Sequence, residues 1–138
     1  DTRYLSRYQL YIDGHPWTLL NAGACAYYAS RTYLTNPIIG TEHGTIPPGV
    51  LGLVVTRAIS DALHEDLDIC NYSTLPVHFT LELLIRSDFA DIFEVKAKHL
   101  TRRGHIETNW EDREQQMATS YTNQDFRRAL MVRMVKTA

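Results

Sequence analysis

Net charge, cysteine and long apolar runs are all scarce in this sequence of 138 residues. Lys and Arg sum to 14 against 16 for Asp and Glu, a formal net charge of −2. That balance excludes a polybasic surface, so neither nucleic acid nor a membrane is expected as a partner. The most aliphatic run, Val50–Val55, contains a glycine and falls far short of the ~20 apolar residues of a membrane helix. No charged-then-apolar signal stretch opens the sequence, and no transit-peptide composition is visible. Cys25 and Cys70 stand alone, which excludes a disulfide framework and a cysteine zinc site. Two reduced, buried thiols in a cytoplasmic protein are expected. There is no G-x-S-x-G elbow, no Walker loop and no dinucleotide glycine fingerprint. The six histidines never reach metal-ligand spacing, and His64 with Asp66 is explained by exposed alternation. No cofactor or metal is implied.

What the sequence does hold is strand-forming material. Val, Ile and Thr contribute 30 residues and the aromatics 14, the types that suit a pleated, half-buried surface. At 44% hydrophobic and 22% charged, the chain can build a core. Its length suits one domain, so a single β-sandwich domain over residues 1–138 is expected. Asp1 opens directly in strand-like sequence, as expected of a piece of a longer protein.

Short alternating runs are punctuated by turn chemistry. Tyr4, Tyr8, Leu10 and Ile12 fall at period two, and Asp13-Gly14 stops the run with a hairpin dipeptide, sending Trp17–Leu20 back alongside. Residues 24–35 read as the next strand, ended by Asn36-Pro37. Residues 40–49, rich in Gly and Pro, read as an irregular loop. Leu51–Ile59 and Leu63–Ile69 alternate cleanly. Val77–Ile85 gives the clearest pattern and predicts a central strand with Phe79, Leu81, Leu83 and Ile85 in the core. Ile92–Val95 reads as a short strand, residues 96–116 as a charged stretch turning at Arg102-Arg103-Gly104. Met117–Thr122 and Leu130–Met134 supply two more strands. About nine strands with no amphipathic helix predict an all-β, antiparallel β-sandwich.

The candidate sites each have a plain structural reading. Tyrosines and tryptophans could stack on sugar rings, although ordinary sheet packing and strand propensity are the favoured account of them. Asp88, Asp91 and Glu94 cluster at one strand exit. Glycoside hydrolysis needs two carboxylates facing across a cleft, which local clustering does not provide, so a structural turn is favoured. The prediction is a polar cluster of Asp88, Asp91 and Glu94 with Arg102 and Arg103, with Asp1 and Arg3 as further partners. Phe89 and Phe93 would anchor the turn in the core.

The string Ser87-Asp88-Phe89-Ala90-Asp91-Ile92-Phe93-Glu94-Val95, with the opening Asp1-Thr2-Arg3-Tyr4-Leu5-Ser6, resembles the N-terminal domain of glycogen-debranching (amylo-α-1,6-glucosidase-type) proteins. Leu67-Asp68-Ile69-Cys70-Asn71 and Arg102-Arg103-Gly104 match further features of that family. One departure is Lys96-Ala97, where the family continues with Arg-Gly and so offers a glycine for a positive φ. The resemblance implies a supersandwich-like domain placed before a helical (α/α) toroid that carries the catalytic carboxylates. That toroid lies outside these 138 residues, and no catalytic residue is implied within them. The implied partner is the C-terminal catalytic domain of the same parent chain, a glycoside hydrolase acting on α-glucans, with contact to α-glucan left open. A free-standing carbohydrate-binding module and a ligand-free assembly module remain the alternatives.

Overall fold

The computed structural model describes residues 2–42, 44–101 and 103–135. Among the described residues there are twelve strands and one short helix, and the strand pairings set out below are antiparallel. The chain divides into two compact units, residues 9–83 and residues 1–8 with 84–138. The second unit is therefore discontinuous in sequence. The chain passes between units within β1 (Arg7–Ile12) and again within β9 (Leu81–Arg86).

In the 9–83 unit, Asp13 and Gly14 both take positive φ, 46° and 76°, the geometry of a two-residue hairpin turn. They join β1 to β2 (His15–Pro16), with Ile12 opposite His15. The return strand stops there. Trp17 is buried, and β3 (Thr18–Ala26) leaves to pair with β4 (Ala29–Thr35) instead. β7 (Leu51–Ile59) and β8 (Leu63–Asn71) complete a sheet of order β3-β4-β7-β8. Alternation along β7 puts Leu51, Leu53 and Val55 on one face, essentially fully buried. They pack with Ile12, Trp17, Ile39 and Ile46, and with the half-buried Leu10 and Leu81 of β1 and β9. This is the face-to-face packing of an all-β sandwich. Arg57 and Glu65, directly opposite across β7 and β8, form an ion pair.

The loop expected over residues 40–49 holds only for residues 47–49. β5 (Ile39–Thr41) and β6 (Gly44–Ile46) form a hairpin, held because Ile39 and Ile46 reach the core. Asn36 supports it from inside. Its Oδ1 accepts Leu51 N–H, and its Nδ2 donates to the Pro37 and Pro47 carbonyls, each at 2.8 Å. Val77–Ile85 is not a central strand either. Only Leu81–Arg86 is strand, at the end of the order β2-β1-β9, and Phe79 is half-buried. Asp13 takes the Thr80 N–H at 2.8 Å with its side chain, so a side chain replaces a ladder bond there. Both cysteines are exposed rather than buried. They lie on β3 and β8, the two outer strands of their sheet.

In the other unit, β10 (His105–Glu111), β11 (Gln116–Asn123) and β12 (Phe126–Arg133) form a meander. Ile92–Val95 is not a strand but the start of α1 (Ile92–Ala97).

Candidate functional site

Two stretches far apart in sequence meet in the unit of residues 1–8 and 84–138. Thr2 bridges Asp91, Arg3 N–H donates to the Ala90 carbonyl at 2.8 Å, and Ser6 N–H donates to the Arg86 carbonyl at 2.8 Å. Side chains reinforce the pairing. Arg3 engages Asp88 with both arms of its fork, Nε to Oδ1 at 3.1 Å and Nη2 to Oδ2. Lysine could not reproduce that geometry. Burial alone would push the Asp88 carboxyl up. Hydrogen bonds from Arg3 and from Ala90 N–H (3.2 Å) outweigh it and hold the group below its ordinary value. The same bond to Asp88 raises Arg3.

Phe89 follows with φ of 54°, a left-handed conformation that costs a bulky residue about 1–3 kcal/mol. The bend aims its ring inward. Phe89 is buried and stacked on Tyr121 at 5.7 Å, with Tyr4 edge-on at 6.0 Å. Tyr121 in turn meets Phe126 edge-on at 6.1 Å. Four rings thus fix where the segment turns.

Asp91 then caps α1. Its Oδ1 accepts the N–H groups of Phe93 (2.8 Å) and Glu94 (2.9 Å), while Glu94 Oε2 accepts Asp91 N–H at 3.0 Å. This reciprocal capping box satisfies donors that a helix start leaves open. Glu94 Oε1 also takes Thr101 N–H at 3.3 Å, tying down the chain beyond the helix. The helix ends at Lys98 in the left-handed region, φ 52°. The positive φ that the family's Arg-Gly would supply is thus taken one residue later, by a lysine.

Of these residues, Asp88, Phe89, Asp91, Glu94, Tyr121 and Phe126 line a concavity of about 300 Å³ that also receives Arg103 and Arg128. Arg128 lies over the Phe126 ring at 4.3 Å. Among the described residues, neither Arg103 nor Arg128 forms an ion pair. Asp91 and Glu94 sit on one helical turn and are committed to backbone N–H groups. They cannot act as an acid and a base from opposite faces of a sugar. The arrangement fixes backbone geometry and presents charge.

Comparison with known families decides the relationship. The whole chain, residues 1–138, matches the family described as the N-terminal domain of some glycogen debranching enzymes. The chain belongs to this family. No curated protein and no solved structure matches it. In this member of the debranching N-terminal family, Arg3, Asp88, Phe89, Asp91 and Glu94 come together as described. Asp1 and Arg102 lie outside the described residues. Arg103 lines the concavity but does not pair with the carboxylates, because Arg3 and backbone N–H groups already occupy them. Phe93 does not anchor the turn. Once Asp91 starts a helix, Phe93 falls on its open side and is 75% exposed. Tyr121, Phe126 and Arg128 were not anticipated, since alternation along β11 and β12 does not say which segment they face. The helix was readable in the Asp91-x-x-Glu94 spacing, which is a capping-box signature. No helix of the described residues is long and apolar enough to cross a membrane.

Proposed function

We propose that this chain is a non-catalytic domain of a glycogen debranching enzyme. It supports a downstream glycoside-hydrolase domain of the same parent chain and forms one wall of its α-glucan cleft. The observation that carries this reading is α1, which buries none of its residues. Ile92, Phe93 and Val95 are all exposed. A six-residue helix is far below the ~12–15 residues at which isolated helices become marginal. Its caps hold it in place with an apolar face outward, so a partner meets a preorganised surface. Beside it, Arg103 and Arg128 offer charge that no carboxylate among the described residues pairs. The matching surface is an apolar pocket for Phe93 rimmed by Asp or Glu. A cytoplasmic location is part of the same reading, supported by two exposed free thiols.

The test uses the parent chain carrying Phe93→Asp, with Tyr27→Asp, still more exposed and on the β3–β4 turn, as a control whose own folding is checked by the melting temperature of the isolated 138-residue chain. Phe93→Asp should lower both the melting temperature of the catalytic domain and debranching of limit dextrin, while Tyr27→Asp should not. If Phe93→Asp leaves both unchanged, the supporting role is wrong.

A further inference from the structure

We infer that the solvent-facing side of the β3-β4-β7-β8 sheet is an α-glucan platform, on which Tyr33 and Tyr72 stack against sugar rings across a floor at Gly52. The choice of glucan rests on the proposed function, and the platform itself rests on the register of the sheet.

Leu51, Leu53 and Val55 face the core, so Gly52, Val54 and Thr56 face the other way. Tyr33 lies opposite Val54 and Asn21, and Val54 lies opposite Asp68. Asn21, Tyr33, Val54 and Asp68 therefore form one cross-strand row. The next row carries Gly23, Arg31, Thr56 and Asp66. On the far side of the Tyr33 row stands Gly52. A Cβ there would lie 2.7 Å from the Tyr72 ring, so the missing side chain is what lets that ring lie down on the sheet. Tyr72 nonetheless stays 71% exposed, and Tyr33 40%.

The result is a shallow groove of about 260 Å³ lined by Leu20, Tyr33, Gly52, Val54 and Tyr72. That is below the roughly 300–1,000 Å³ of pockets that enclose a whole small ligand. An open groove of this size suits a segment of a polymer lying across it. Its chemistry narrows the class further. Pyranose rings present apolar C–H faces bordered by hydroxyls, and here two phenol rings are bordered by Asn21, Arg31, Asp66 and Asp68. A protein-binding patch would be depleted of acidic side chains at its centre. One Arg against two Asp leaves the rows with a single negative charge, which disfavours an anionic ligand. The Arg31 guanidinium is held above its ordinary value, first by Tyr33, then by Cys25 and last by Asp68.

The test is migration of the 138-residue chain through native gels containing glycogen, with titration of maltoheptaose followed by NMR of the tyrosine ring protons. Wild type should be retarded by glycogen, and Tyr33 and Tyr72 ring signals should shift with maltoheptaose but not with cellohexaose. Tyr72→Ala and Gly52→Ala, checked for unchanged melting temperature, should weaken binding at least tenfold. Tyr27→Ala should stay within twofold of wild type. Retardation that survives Tyr72→Ala and Tyr33→Ala, or glycogen binding without shifts at these rings, would overturn the platform and leave the glucan-acting parent standing. Absence of any glycogen binding would overturn it too, as would burial of Tyr72 against another domain in the parent chain.

Discussion

Replacing Asp91 by alanine tests the helix start directly. The side chain accepts two amide protons, those of Phe93 at 2.8 Å and Glu94 at 2.9 Å. Loss of an N-cap acceptor costs about 0.5–2 kcal/mol, typically about 1. A helix of six residues with none buried has little else to hold it, so the whole cost should appear as local opening. About 1 kcal/mol corresponds to roughly fivefold faster amide exchange, and the full range to about two- to thirtyfold. Native-state hydrogen exchange should show this at Phe93, Glu94 and Val95, the last of which bonds to the Asp91 carbonyl at 3.1 Å. Amides of β11 should change little. Asp91→Asn keeps an acceptor of nearly equal capping strength and should remain within about twofold of wild type. If Asn proves as damaging as Ala, charge rather than capping matters at this position. If neither changes exchange at 93–95, the segment is not the capped helix described above.

Leu53→Ala should cost about 2–5 kcal/mol in chemical denaturation, because Leu53 is fully buried on an inner strand. Against a total of about 5–15 kcal/mol, that variant should be marginal. Gly104→Ala should destabilise by about 1–3 kcal/mol, since its Cβ would fall 2.5 Å from the Thr122 carbonyl and 2.6 Å from the Tyr121 ring. A melting temperature equal to wild type would contradict that close approach. Asp88 sits below its ordinary value of 3.8, so the folded chain binds fewer protons there than the unfolded one. Stability from this group is present above 3.8 and is lost as pH falls through the lowered value. Acid titrations of melting temperature should therefore be shallower for Asp88→Asn than for wild type. The chain alone should release no glucose from limit dextrin, and release by homogeneous protein, abolished by Asp91→Asn, would refute the non-catalytic reading.

Periodicity made part of this molecule readable in advance. β7 and β8 alternate because one face meets the core, and Asp13-Gly14 marks its turn through residues that tolerate positive φ. Other elements gave no such sign. The β3–β4 turn is built from Tyr27 and Tyr28, without glycine or proline, and is braced by their rings at 5.0 Å. β10 reads Glu-Thr-Asn-Trp-Glu because both of its faces are largely exposed. Ile92-Phe93-x-Val95 has strand composition, and its helical state is decided by two carboxylates rather than by propensity. The site was half legible. Its residues stood out as a family string, but the grip of Arg3 on Asp88 spans 85 positions, and no local pattern carries such a contact.

The discontinuity of one unit sets an order of events during synthesis. Residues 9–83 are one unbroken stretch, whereas residues 1–8 must wait for residues from 84 onward. At about 5–20 residues per second, roughly 4–17 s separate the emergence of Arg3 from that of Asp88. During that interval Thr2–Ser6 have neither Arg86, Asp88, Ala90 nor Asp91 to bond to. The inserted stretch is by then fully made and free to pair its own strands. The Arg3–Asp88 clasp is therefore among the later joins in the nascent chain, and a ribosome stalled before Asp88 would display the opening segment with its backbone groups unpaired.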